Sequence, residues 1–408
     1  ALVPVAGTQM GFGGLLNLDS HSGLEYNDNH FYIDHYNFPN RSWDTRDWRI
    51  RDSSSVGSGL ATLLNMAAAR ETSKPYTVSE FNQPWPNRQA AEIDPTLAAF
   101  GAFQDWDSIM HFAYSHNRNW DERTPNGFDL NSDWSKDVSL GQSALLFRQG
   151  IQPARQALRI PVSLDVRLQL TRERRNGSIA PALAQLMEYD PALALQHRVG
   201  LARDDKAKWQ PRKTSGAVTS DTGEITYDAA AKTMTVQAPG AAGVFGFTGA
   251  RKVTAGAIDV ELAPGSRGFV TLLVTALDQR PIRDSARMLL TVPGYTVGTQ
   301  RGSDPPRPQR FIPYGQTSDW WTLEPEPAAN PRPSGGMSGS APPVYMERVE
   351  CFVLLRTTAD AIVVYPLDGT GARLEKLAAA DVQKADGGFR IHLQADGQAL
   401  APWYEIVR

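Results

Sequence analysis

Strand-like and helix-like stretches alternate along residues 1–155, and that alternation leaves the chain few architectures. "LVPVAGTQ" (2–9) reads as a buried strand leading into a Gly-rich loop, "HFYIDHY" (30–36) as a second strand, and "KPYTVSEFNQPWPN" (74–87) opens as a third. "SGLATLLNMAAARE" (58–71), "DPTLAAFGAFQDW" (94–106) and "SLGQSALLFRQGI" (139–151) have helical composition, and "SIMHFAYS" (108–115) is another strand. Asp94-Pro95 is a helix-start signal. Strand, helix and strand in succession make the βαβ unit of a parallel sheet.

The texture then changes. Residues 156–214 form a helical and linker segment, with the patch "APALAQLMEYDPALALQHRV" followed by a Lys/Arg-rich stretch around 202–214. From 215 to 408 short β runs with turn signals follow one another, among them "TMTVQAP", "GFVTLLVTAL", "YMERVECFVLLR" and "WYEIV". Such spacing predicts an antiparallel β-sandwich. Two Pro/Gly/Ser-rich stretches between the runs, "RGSDPPRPQR" and "EPEPAANPRPSGGMSGSAPP", are expected to be mobile loops. The expected fold class is α/β plus all-β, with the α/β part at 1–155.

Composition narrows the function. The 408 residues carry a formal charge of −3, which gives no electrostatic reason to expect nucleic acid or an anionic membrane as a partner. No apolar stretch approaches the roughly 18 residues of a membrane span. The single cysteine, Cys351 in "VECFVLLR", excludes an internal disulfide and a multi-thiolate metal site. It is compatible with cytoplasm or with a secreted or periplasmic setting. Five of the seven histidines fall in the first 120 residues, but without H-E-x-x-H or comparable ligand spacing, so neither a metal nor a cofactor is expected. "LTRERR" (170–175) reads as a solvated face, "SGSA" (338–341) lacks the context of a nucleophilic serine, and "NRS" (40–42) and "NGS" (176–178) are chance matches to a glycosylation pattern. Aromatics beside Asn, Asp and His in the first third suit a polar ligand with flat apolar faces, such as a sugar.

The third strand ends on Ser79, Glu80 and Asn82, ahead of a loop in which Pro84 and Pro86 flank Trp85. In a (β/α)8 barrel, catalytic residues sit at the C-terminal ends of strands. A carboxylate there can attack an anomeric carbon if a second carboxyl lies about 5 Å away to protonate the leaving oxygen. His30 and Tyr32 share one strand face by period-two alternation. A Tyr hydroxyl can hold a nucleophilic carboxylate in place and keep it ionised.

Together, "NDNHFYIDHYNFPNRSWDTRDW" (27–48), "KPYTVSEFNQPWPN" and "AAFGAFQDWDSIMHFAYSH" (98–116) resemble the second half of a retaining glycoside hydrolase barrel of the clan containing the family 5 cellulases and mannanases. The resemblance implies a partial, half TIM-barrel-like domain over 1–155, with an appended sandwich. It makes Glu80 the nucleophile, with His30 and Tyr32 beside it, on a β-linked sugar. Asn82, Trp85, Tyr114 and His116 are then expected to contact that sugar, and "VPVAGTQ" corresponds to the clan's fifth strand.

The clan's acid/base Glu stands on the fourth strand, for which this chain has no counterpart. A barrel takes about 250 residues, and the α/β part has about 150. The resemblance then implies one of three things: a truncated product, a half-barrel completed by another copy or another chain, or a reorganised domain in which Glu25, Asp28 or Asp34 replaces the acid. A carbohydrate-binding remnant without catalysis remains an alternative. An open parallel edge is a pairing surface, so a homo-oligomer covering that edge is expected.

Overall fold

The computed structural model describes residues 3–118, 120–173, 178–204, 206–316, 319–339 and 341–408. Arg174 and Arg175 of the basic run, Asn176 and Gly177 of the "NGS" match, and Ser340 of "SGSA" lie outside that set.

The α/β part is built on three parallel strands, β1 (Asn27–Tyr32), β2 (Tyr76–Asn82) and β3 (Ser108–His111), hydrogen-bonded in that order. Helices Leu60–Ala68 and Ile93–Phe103 form the crossovers, and Trp134–Leu145 follows β3. All eleven residues of Ile93–Phe103 are buried, which fits a sequence whose only polar side chains are Asp94 and Thr96. Its proline, Pro95, falls in the first turn, where no helical hydrogen bond is lost. Asp133 caps Trp134–Leu145, its carboxylate accepting from Ser135 N at 3.3 Å.

Among the described residues no barrel closes; β1–β3 form an open sheet. Of residues 2–9, expected as a buried strand, the described 3–9 contribute one parallel bridge, Ala6 to Tyr26, and Val3 and Val5 are 77% and 50% exposed. With a neighbour on one side only, that segment has nothing to bury its other edge. At the far side of the sheet Met110 of β3 is also exposed. β1 begins three residues before the expected strand and stops before Asp34, whose φ of 73° ends extended pairing.

The segment 156–214 holds two strands that its composition did not announce. β4 (Ala157–Val162) and β5 (Arg198–Arg203) pair in parallel across helices Leu164–Arg172 and Ile179–Met187. Leu201 of β5 also bridges Glu71, just ahead of β2. Gly200 is required there, because a Cβ would stand 2.7 Å from Thr72 Cγ2.

Beyond 215 the chain is antiparallel, in an eight-stranded and a five-stranded sheet. Val244, Leu272, Leu290 and Ile406 of the first pack against Val260, Val353 and Ile391 of the second in one apolar layer. The opposite face of the eight-stranded sheet is buried too. Met234, Val236, Phe245 and Leu273 join Val78, Leu97 and Phe100 of the α/β part in a single core. Gln142 of Trp134–Leu145 donates to Thr275 Oγ1 at 3.0 Å and to the Leu289 carbonyl at 2.9 Å, fixing helix to sheet.

Of the two Pro-rich stretches expected to be mobile, the second, 324–343, is docked. Trp48 Nε1 donates to the Gly335 carbonyl at 2.8 Å, Gly127 N to the Met337 carbonyl at 3.0 Å, and Gly339 N to the Pro125 carbonyl at 2.8 Å. Its backbone groups find partners in the loops that follow β1 and β3, around a third apolar cluster with Tyr36, Trp48, Trp85, Val297 and Leu323.

Candidate functional site

The side of β1–β3 turned away from the helices carries Asp28, His30 and Tyr32 of β1 and Ser79 and Glu80 of β2. Along β1, Asn27, Asn29 and Phe31 are buried while Asp28, His30 and Tyr32 are half-buried, as period two requires. β2 alternates likewise through Tyr76, Thr77, Val78 and Ser79, and strict alternation would next bury Glu80. The pairing prevents this: Asn29 faces Val78 and His30 faces Glu80, leaving Ser79 as an extra residue. A bulge of this kind turns the following side chains over. Ser79 and Glu80 thus both reach the open side, while Phe81 returns to the core at 2% exposure.

Glu80 is held from two directions. The Tyr32 hydroxyl donates to its Oε1, and His30 Nδ1 lies 3.2 Å from its Oε2. Burial first, and the bond to Glu80 second, push the Tyr32 hydroxyl far above its usual range, so it stays a donor. The second nitrogen of His30, Nε2, lies 2.9 Å from Ser79 Oγ and 3.3 Å from Asp28 Oδ2. Gln9 Nε2 is 2.7 Å from His30 Nδ1. The Glu80 side chain keeps a quarter of its surface exposed, enough for a ligand to touch it.

The three candidate acids are otherwise engaged. Asp28 Oδ1 accepts from Thr77 Oγ1 at 2.6 Å and its Oδ2 from Ser79 Oγ at 2.6 Å, which ties β1 to β2. Glu25 Oε2 accepts from Val5 N at 2.9 Å. Asp34 takes the amides of His35, Arg51 and Ser53 and the side chain of Asn87. Its burial raises the carboxyl pKa, with those hydrogen bonds acting against the rise.

Tyr114 and His116 lie on the loop after β3. Tyr114 is 47% exposed and stacks on the exposed Trp120 with ring centroids 5.4 Å apart and planes 24° apart. His116 Nδ1 pairs with the buried Asp129, and its ring meets Phe112, which in turn meets Tyr32. Phe128 and His35 complete an aromatic rim beside Tyr32, their rings 5.2 and 5.7 Å from it.

Asn82 and Trp85, expected to contact sugar, are placed elsewhere. Asn82 is fully buried; its amide donates to the Phe112 and Phe128 carbonyls, and its Oδ1 accepts from Lys136 Nζ at 3.0 Å. It clamps the loop after β3 and presents nothing to solvent. Trp85, expected as an exposed platform, is 1% exposed, with Nε1 donating to the Thr296 carbonyl at 2.7 Å. The flanking prolines steer it inward, onto the loops inserted in the sandwich.

Sequence reasoning missed the supports of His30, namely Gln9, Asp28 and Ser79. It also missed Glu92, buried behind the site, which accepts from Ser54 Oγ at 3.1 Å and from Ser55 N. Burial lifts its carboxyl to about 7, against the hydrogen bonds from Ser54 and Ser55. Among the described residues no group of three or more His, Cys, Asp or Glu could hold a metal ion, and no helix is long and apolar enough to cross a membrane. Comparison with protein-family models, with curated proteins and with solved structures gives no match to this chain.

Proposed function

We propose that this chain is a glycoside hydrolase-like protein that acts on a β-linked sugar by a retaining mechanism, with Glu80 as nucleophile. The observation that carries the reading is the hydrogen bond from the Tyr32 hydroxyl to Glu80, with the His30 imidazole 3.2 Å from the other carboxylate oxygen, on an open polar sheet face. A carboxylate that accepts from a fixed tyrosine and lies against an imidazole keeps one direction for attack, and a fixed geometry is what nucleophilic catalysis requires. Tyr114 and Trp120, exposed and stacked at the rim, offer flat faces to a pyranose ring. The test is hydrolysis of chromogenic aryl β-glycosides, whose good leaving groups need little acid assistance, by the parent chain and by Glu80→Gln.

A second reading is a carbohydrate-binding protein without catalysis. It is favoured by the engagement of Glu25, Asp28 and Asp34 in structural hydrogen bonds. Sugar binding by the parent with no turnover of any aryl glycoside would select it.

We further propose that β1–β3 and the 3–8 segment are half of a barrel-like sheet whose edges are covered by a second copy of the chain. Val3, Val5 and Phe12 near one edge and Met110 and Tyr114 at the other are among the exposed large apolar residues. Unpaired edges flanked by apolar side chains favour association.

A further inference from the structure

Three arginines converge at the end of the parallel sheet opposite Glu80. Arg70 precedes β2, Asp105 precedes β3, and Arg159 and Arg198 stand on β4 and β5. Together with Thr72 they line a cavity of about 430 Å³. Asp105 is the one carboxylate in that lining, and it is already paired with the Arg198 guanidinium. Arg70 is 10% exposed at its side chain, and its Nη2 stands 3.9 Å from Asp105 Oδ2, too far for a hydrogen bond. Its Nη1 donates to the Gln104 carbonyl, while its Nε is buried with no partner. Arg159 is exposed and lies close enough to Asp204 to help lower the pKa of that carboxyl.

A buried guanidinium with an unused donor is costly, and here a second guanidinium stands close by. Burial lowers the Arg70 pKa, with Asp105, Asp107 and Tyr76 opposing the shift and Arg198 adding to it. Three guanidinium groups thus border one accessible space, with Asp105 in its lining and Asp107 and Asp204 close enough to act on Arg70 and Arg159. Guanidinium groups in that arrangement match the oxygen geometry of a phosphate or sulfate.

We propose that this cavity binds a doubly charged tetrahedral oxyanion, the phosphate or sulfate group of a small ligand, through Arg70, Arg159 and Arg198. The site stands apart from Glu80 and does not depend on the glycosidase reading.

Isothermal titration with sodium phosphate and, separately, sodium sulfate, each against sodium chloride of equal ionic strength, tests it. Saturable binding of at least one oxyanion is expected, and Arg159→Ala and Arg70→Met should each weaken it about tenfold or more. Glu80→Gln should leave it unchanged. Arg159 is exposed, so its variant remains folded whatever Arg70→Met does. Acid pH should weaken phosphate, which loses its second charge, and spare sulfate; the comparison shows which group the cavity prefers. Heats equal to the chloride control for both anions, or unaltered affinity in Arg159→Ala, would overturn the proposal.

Discussion

Tyr32 and Glu80 meet because β2 carries one residue more than β1 at Ser79. Without that extra residue Glu80 would point at the helices, into the layer occupied by Phe81 and Val78. The bulge thus converts a strand-end carboxylate into an accessible one, and several consequences can be measured.

Glu80→Gln should lower aryl glycoside hydrolysis at least about a thousandfold, as loss of a nucleophile does. The side chain is a quarter exposed, so the thermal midpoint should move little. Retention of more than about a tenth of parental activity would remove Glu80 from the nucleophile role.

Tyr32→Phe deletes one charge-assisted hydrogen bond to Glu80, worth roughly 1.5–3 kcal/mol. The expected result is a fall in kcat of about 10- to 100-fold with KM nearly unchanged. Equal kcat in parent and variant would assign Tyr32 to packing alone.

Trp85 and Tyr114 should separate cleanly. Trp85 is buried with a bonded indole, and Trp85→Ala should cost about 3–5 kcal/mol of stability. Tyr114 is half exposed, so Tyr114→Ala should change stability by less than about 0.5 kcal/mol while weakening sugar binding. Chemical denaturation and a sugar titration on both variants check this; a stable Trp85→Ala would contradict the observed packing.

Glu92 predicts a pH dependence. Its folded pKa is about 7 against an ordinary 4.5, so between those values the folded state holds the proton that the unfolded state has released. Stability therefore falls as pH rises through that window, by roughly 3 kcal/mol, and levels off above it. Glu92→Gln should flatten the profile and be the more stable protein at pH 8. Identical denaturation midpoints of parent and variant across this range would refute the linkage.

Association through the open sheet edges should appear as concentration-dependent sedimentation. A Met110→Lys change, placing charge on an exposed edge position, should shift the protein toward monomer. A parent chain sedimenting as a monomer at every concentration would argue that the edges need no cover.

The α/β alternation and the antiparallel tail were legible because they rest on local period and composition, and His30 and Tyr32 share a face for the same reason. The bulge was not legible: nothing in "YTVSEFN" distinguishes Ser79 as an extra residue, since the register is set by the partner strand. Trp85 was misplaced because its acceptor, the Thr296 carbonyl, lies 211 positions away. β4 and β5 escaped notice because arginines and a proline interrupt their apolar runs, and only the parallel pairing of the two defines them. Proline and glycine in the inserted loops signalled irregular backbone correctly, but composition does not say whether irregular backbone is docked.

The eight-stranded sheet gives one face to its five-stranded neighbour and the other to the helices around Leu97 and Phe100. A sheet sealed on both sides is not a detachable cassette. Gene fusions that move residues 215–408 onto a foreign domain would carry an uncovered apolar wall with them, so the two parts should be moved together. The tail is better regarded as the keel of the α/β part than as its cargo.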